Sequence, residues 1–215
     1  MKLANYLSGR WQTGAGEGQS LFDPVTGEAL VAVSADGLDL GEALAYARGT
    51  GGPALRALTY AGRGALLGKI AELLQAKRAD YLDISLRNLG ASEADASADV
   101  DGAIFTLKSY ARAARALGEA RHLKDGAPVP LAKTDIFQGQ HFLQPQTGVA
   151  IFINAFNFPA WGLWEKAAPA LISGMPVLVK PATPTAWLTQ RMVEDVVNAG
   201  LLPDGALSIV CGGAR

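Results

Sequence analysis

Three short, predominantly apolar runs stand out in the second half of the chain, at 149–153, 176–179 and 206–210. Unbroken runs of this length, flanked by glycine or proline, are what strands of a parallel sheet covered on both faces require. Between the first two, segment 159–172 carries Trp161, Trp164, Ala168 and Leu171 at spacings of three and four, which predicts a crossover helix. Gly174 is placed to close it. Strand, helix and strand in this order make half of a nucleotide-binding unit.

The first half reads differently. Segments 6–12 and 21–23 are expected as short strands around the glycine-rich turn at 14–18, and 29–34 as another strand after the turn carried by Asp23-Pro24 and Gly27-Glu28. Four helices are then expected, at 38–47, 59–77, 80–89 and 100–117. In the second, Leu66, Ile70, Leu73 and Leu74 form one apolar face, with Arg63 and Lys69 off it. Gly90 ends the third helix, and the oxygens of 97–99 are offered as caps to the fourth. Segment 120–148 changes character. Pro128, Pro130 and Pro145 surround the alternating stretch 134–143, which predicts a loop and then an exposed strand or hairpin arm.

Composition narrows the function. The 215 residues are 49% hydrophobic, enough for a substantial core in one large domain or two small ones. With 19 Lys and Arg against 20 Asp and Glu, dispersed along the chain, nothing suggests nucleic acid or an anionic membrane as partner. No apolar run reaches a bilayer's width, and Cys211 stands alone, so no disulfide framework exists and a cytoplasmic location is expected. His122 and His141 have no Ser or Asp constellation beside them, and no spacing of His, Cys, Asp and Glu points to a metal.

Ligands of open parallel sheets bind beyond the carboxyl ends of the strands, so the candidate residues are Ile153, Asn154, Ala155, Phe156 and Asn157 after the first run and Lys180 after the second. Asn157 can alternatively cap the helix that follows, and a strand-end lysine can simply be solvated. NAFNFP at 154–159 and GMPVLVKPAT at 174–183 resemble, in order and spacing, the Asn-Phe-Pro and Lys-Pro-Ala segments of the aldehyde dehydrogenase superfamily. The resemblance runs from 7 to 214 and is strongest over 152–212. Its finer wording, together with LTYAGRGALLGKIAELLQAKRADY, is similar to a branch that oxidises CoA-linked semialdehydes in benzoate and phenylacetate degradation.

The resemblance implies an α/β fold: an N-terminal helical region at 1–125, an oligomerisation β-arm at 126–147 and part of a Rossmann-type sheet at 148–215. It implies that Asn157 helps hold the oxyanion of the tetrahedral adduct, and that Ile153, Asn154, Ala155, Phe156, Lys180, Ala182, Thr183 and Gly212 contact the cofactor. Gly212 is equally readable as a bare turn. Relatives that prefer NAD carry glutamate where Thr183 stands; without that carboxylate the 2′-phosphate of NADP is not repelled, so NADP is expected as the preferred cofactor, with NAD possible. Cys211 follows a nucleotide-side strand and is not expected as the nucleophile. The catalytic domain, with its cysteine and general base, is expected after Arg215, and a homodimer is expected of the full-length enzyme. The chain alone is expected to be inactive and to expose its last strand; a non-catalytic partner subunit is the alternative.

Overall fold

The computed structural model describes residues 1–134 and 136–213; Asp135, inside the expected arm, and Ala214, where the resemblance ends, lie outside the described residues. The expected single strand at 6–12 is instead a hairpin, β1 (Asn5–Leu7) and β2 (Arg10–Gln12). Its two-residue loop, Ser8-Gly9, has φ of 51° and 74°, the left-handed pair that matches strand twist in a tight hairpin. A second hairpin joins β3 (Gln19–Phe22) to β4 (Ala29–Val33). The Asp23 carboxylate closes its turn by accepting from the backbone of Val25 and Thr26.

Helix α1 (Leu40–Tyr46) does not end at 47, as expected, but continues through a π-helical turn, Ala47–Gly51, into α2 (Gly52–Ala57). Glycine there serves close approach: a Cβ on Gly51 would collide with the Gly205 carbonyl. Thr59 caps α3 (Tyr60–Ala76), whose apolar stripe is Leu67, Ile70, Ala71 and Leu74 rather than one led by Leu66. Arg63, expected off the stripe, is buried within it. Its Nη1 donates to the carbonyls of Leu55 and Leu58 at the end of α2, the first of which also accepts from the Leu58 N–H, and its guanidinium lies 4.5 Å over the Tyr60 ring. Helix α4 (Arg78–Leu89) ends at Gly90, with φ 66°.

Helix α5 (Glu93–Leu117) starts at a Ser92 cap, so 97–99 lie inside it and do not cap it. The arm is an exposed antiparallel hairpin, β5 (Leu123–Pro130) and β6 (Gln138–Leu143). Pro128 and Pro130 fall within β5 and not in a loop, which a two-stranded ribbon with free outer edges tolerates. Strand β7 (Ala150–Ile153), helix α6 (Trp161–Ile172), strand β8 (Val177–Lys180), helix α7 (Ala186–Asn198) and strand β9 (Leu207–Ile209) complete the chain.

The main sheet has the order β2-β1-β9-β8-β7, parallel across β9-β8-β7 and antiparallel at β1. Trp164, Leu163 and Leu171 of α6 join the stripe of α3 and Val100, Ile104 and Leu107 of α5 in the core. Val177, Leu178 and Val179 are buried on both faces of β8, as expected. β7 departs from expectation: Ile151 and Ile153 are 54% and 77% exposed, because this strand forms the sheet's edge and only the face carrying Ala150 and Phe152 is packed. The last strand is not the exposed one either. β9 is buried throughout, since β1 pairs along its other edge.

Candidate active site and cofactor face

The segment that follows β7 is anchored at several points at the carboxyl end of the sheet. Asn154 is buried; its backbone N–H donates to the Lys180 carbonyl, continuing the β7–β8 ladder by one step. Its Oδ1 accepts from Lys166 Nζ at 3.4 Å. Ile153, Ala155, Phe156 and Asn157 are exposed. Thr185 Oγ1 donates to the Phe156 carbonyl at 2.9 Å, and Thr189 Oγ1 to the Pro159 carbonyl at 2.7 Å, so the start of α7 grips the loop on both sides of Asn157.

Asn157 does not cap α6. The two N–H groups that open this helix, of Ala160 and Trp161, donate to the carboxylate of Asp99, at 3.1 and 2.7 Å. Burial pushes the Asp99 carboxyl up to about 6, against the pull of the bonds from Trp161 and Ala160. The same face of α5 receives the Trp161 side chain, whose Nε1 donates to Thr106 Oγ1 at 3.0 Å. Gly102 makes room for the ring, because a Cβ there would come within 2.7 Å of it. Phe158, just before α6, and Trp161, Gly162 and Glu165 along one side of it line an open cleft of about 190 Å³.

At the end of β8, Lys180 is half-buried and its Nζ donates to the Pro181 carbonyl at 3.2 Å. Ala182 and Thr183 are half-buried, and Thr183 Oγ1 donates to the Gly212 carbonyl at 3.0 Å. Gly212 is buried against the β4 end: a Cβ there would lie 2.8 Å from the Ala35 nitrogen. Cys211 is fully buried, and its thiol is pushed up to about 12 by that burial, with Lys180 opposing. Such a thiol is inert at neutral pH. Among the described residues no group of His, Cys, Asp and Glu is placed to hold a metal, and no helix is long and apolar enough to cross a membrane.

The candidates thus fall on one end of the sheet, in two groups: 153–157 after β7, and Lys180, Ala182, Thr183 and Gly212 after β8 and β9. Of four residues that hold them, the sequence singles out Asp99 only as a cap for a different helix and gives the other three no role at the site. Thr185 and Thr189, one helical turn apart, are visible there only as a spacing; Lys166 and Asp99 act on segments distant in the chain.

The aldehyde dehydrogenase family model matches residues 11–215. The chain is 74% identical over its whole length to the 3,4-dehydroadipyl-CoA semialdehyde dehydrogenase of Aromatoleum evansii, of which it covers 42%. It is 28% identical, over 96% of its length, to the D-glyceraldehyde dehydrogenase (NADP(+)) of Thermoplasma acidophilum, of which it covers 40%. The chain therefore spans about two fifths of the length of these relatives. Among solved structures, an NADP-dependent enzyme of E. coli superposes with a TM-score of 0.82 at 26% identity, over 99% of this chain and 42% of that one. An NAD-dependent benzaldehyde dehydrogenase from Corynebacterium glutamicum shares the fold, with a TM-score of 0.83 at 22% identity over 98% and 45% of the two chains.

Proposed function

This chain belongs to the aldehyde dehydrogenase family, and from that premise we propose that it supplies the cofactor face and one oxyanion donor of an enzyme that oxidises a CoA-linked semialdehyde to its acid with NADP. The carrying observation is the state of Asn157. Its side chain is exposed at the carboxyl end of a parallel strand, while the capping task that would otherwise explain it is performed by Asp99. A neutral amide on a backbone held at both ends suits an oxyanion that forms only in the transition state.

The residues present fit a nicotinamide dinucleotide. Lys180 offers a half-buried cation at the strand end, and Ala182, half-buried beside it, leaves the adjoining backbone approachable, while Gly212 is packed against Ala35 and its carbonyl accepts from Thr183. In this reading Ile153, Asn154, Ala155 and Phe156 line the side nearer the reacting carbon, and Lys180, Ala182, Thr183 and Gly212 the adenosine side. A nicotinamide held there would supply the acceptor for the hydride that leaves the tetrahedral adduct. Asn157 Nδ2 donates to the oxygen of that adduct. The nucleophilic cysteine and the base that activates water are assigned to the remainder of the full-length protein, since the thiol of Cys211 is sealed in the core.

The CoA-linked substrate and the place in aromatic degradation rest on the 74% identity to the Aromatoleum evansii enzyme. NADP rests on the absence of a carboxylate at Thr183. The arm is proposed to pair with a second copy, which would cover Val129, Leu131, Phe142 and Leu143, all exposed. A cytoplasmic enzyme with the divisions 1–125, 126–147 and 148 onward completes the proposal. The test is an assay of the full-length protein with a CoA-linked semialdehyde, following absorbance of the reduced nucleotide. NADP is expected to be reduced in preference to NAD, and Asn157→Ala to lower kcat by about 100- to 1000-fold. No reduction of either nucleotide would sink the proposal.

A further inference from the structure

We infer that Asp99 is a positioning residue for Asn157, acting through the backbone at the start of α6. The inference rests on the reading of Asn157 as the oxyanion donor. Asp99 sits in the interior of α5, 1% exposed, and both of its carboxylate oxygens are used on the loop's far end, Oδ2 on Ala160 N–H and Oδ1 on Trp161 N–H. A helix is ordinarily capped by the residue just before it. Here Ala160 occupies that position and has no side chain able to do so, and the acceptor comes from 61 residues upstream.

That arrangement ties the loop to a second helix. Asp99, Gly102 and Thr106 lie along one side of α5. They meet, in order, the first N–H groups of α6, the face of the Trp161 ring and its Nε1. From the opposite element, Thr185 and Thr189 hold the carbonyls of Phe156 and Pro159. The peptides around Asn157 are therefore fixed at four points, two acceptors and two donors, by buried side chains spent on backbone groups. Thr185 and Thr189 are buried as Asp99 is, so these bonds face little competition from water. The backbone from which the Asn157 amide projects is thereby fixed, and the residue itself is left exposed. Misplacing such a group by about 1 Å can cost on the order of 100-fold in rate, so the clamp matters to turnover more than to binding.

A double-mutant cycle in the full-length protein tests this, with Asp99→Asn, Asn157→Ala and their combination assayed for kcat, KM and NADP affinity. In Asp99→Asn one oxygen still accepts an N–H, while the new NH₂ opposes the other. The expected result is about a tenfold fall in kcat with KM and NADP affinity within about twofold of wild type, and no further fall when Asp99→Asn is added to Asn157→Ala. If Asp99→Asn does not fold, Thr189→Val, which removes the Pro159 clamp at constant shape, enters the same cycle with the same expectation. Losses that multiply in the double variant, an unchanged kcat in both single clamp variants, or a KM that moves with kcat would overturn the inference and leave the reading of Asn157 standing. An Asn157→Ala enzyme as active as wild type would remove that reading and this inference together.

Discussion

Thr183 Oγ1 donates to the carbonyl oxygen of Gly212 at 3.0 Å, joining the segments that follow β8 and β9. A threonine hydroxyl has one proton to give. With that proton committed, Thr183 presents lone pairs and not a donor to the cofactor face. If NADP is the cofactor, as proposed, the absence of a carboxylate, rather than a new hydrogen bond, is then what admits its 2′-phosphate.

Substitutions at Thr183 separate these two effects. Thr183→Val removes the tie and is expected to lower stability by about 1 kcal/mol and to weaken NAD and NADP alike, within about threefold. Thr183→Glu places a carboxylate against the 2′-phosphate and is expected to weaken NADP at least tenfold while sparing NAD. Titration of both nucleotides against each full-length variant decides it. A Thr183→Val loss confined to NADP would show that the hydroxyl contacts the phosphate directly.

The Asp99 carboxyl gives stability a pH dependence of defined sign. Its folded value of about 6 lies above the ordinary 3.8, so the fold holds the proton more tightly than the unfolded chain does. The contribution is fully present below pH 4 and is lost as pH rises through 6, by up to about 3 kcal/mol. Urea unfolding of wild type and Asp99→Asn between pH 4.5 and 7.5 is expected to show wild type losing ground to the variant as pH rises. A constant difference across that range would contradict this account.

How far the sequence was legible follows from where each residue's partner lies. β8 was readable because both its faces are covered, and the run at 176–179 is apolar without interruption. The run that forms β7 has the same character, yet Ile151 and Ile153 face outward, since composition does not reveal whether a strand lies at an edge. Arg63 was set outside its helix's apolar stripe by its charge; it is buried where its guanidinium meets the carbonyls of Leu55 and Leu58 at the end of α2, acceptors invisible in the helix itself. Asp99 carried the right chemistry for a cap, and the error lay in which helix it caps. The motifs at 154–159 and 174–183 located the candidate site by family resemblance, whereas the residues that hold it act across long separations and needed the structure.

Asp195 is the centre of a polar cluster. It is buried and accepts from Lys77 Nζ at 2.6 Å, Tyr81 OH at 2.9 Å and Arg191 Nε at 3.0 Å, which links α7 to the α3–α4 junction. Burial, then the bond to Asp195, pushes the Tyr81 hydroxyl far above its usual range. Asp195→Ala leaves the buried Tyr81 hydroxyl without its acceptor and the part-exposed Lys77 and Arg191 without their shared carboxylate, and is expected to cost about 2–3 kcal/mol. Glu42→Ala breaks an ion pair whose side chains are 59% and 47% exposed, and is expected to cost less than about 0.5 kcal/mol. Chemical denaturation of the two variants measures the contrast. Equal losses would mean that burial does not set the worth of these pairs.

Cys211 offers the sharpest check on where the nucleophile is. A thiol held near 12 is ionised to about one part in ten thousand at pH 8. It is also closed off from solvent, so alkylation at this position must wait for the fold to open. Its backbone N–H donates to Asn5 Oδ1 at 2.6 Å, a bond that survives any change of side chain. Cys211→Ala in the full-length protein is therefore expected to keep kcat and KM within about twofold, with a stability cost of about 1 kcal/mol for the small void. Iodoacetamide labelling followed by peptide mapping is expected to leave Cys211 unmodified under native conditions. A catalytic role would give the opposite pattern, with labelling faster than for a free thiol and activity reduced by several orders of magnitude in the variant. Either result would move the nucleophile onto the nucleotide side of the sheet and require the site built around Asn157 to be redrawn.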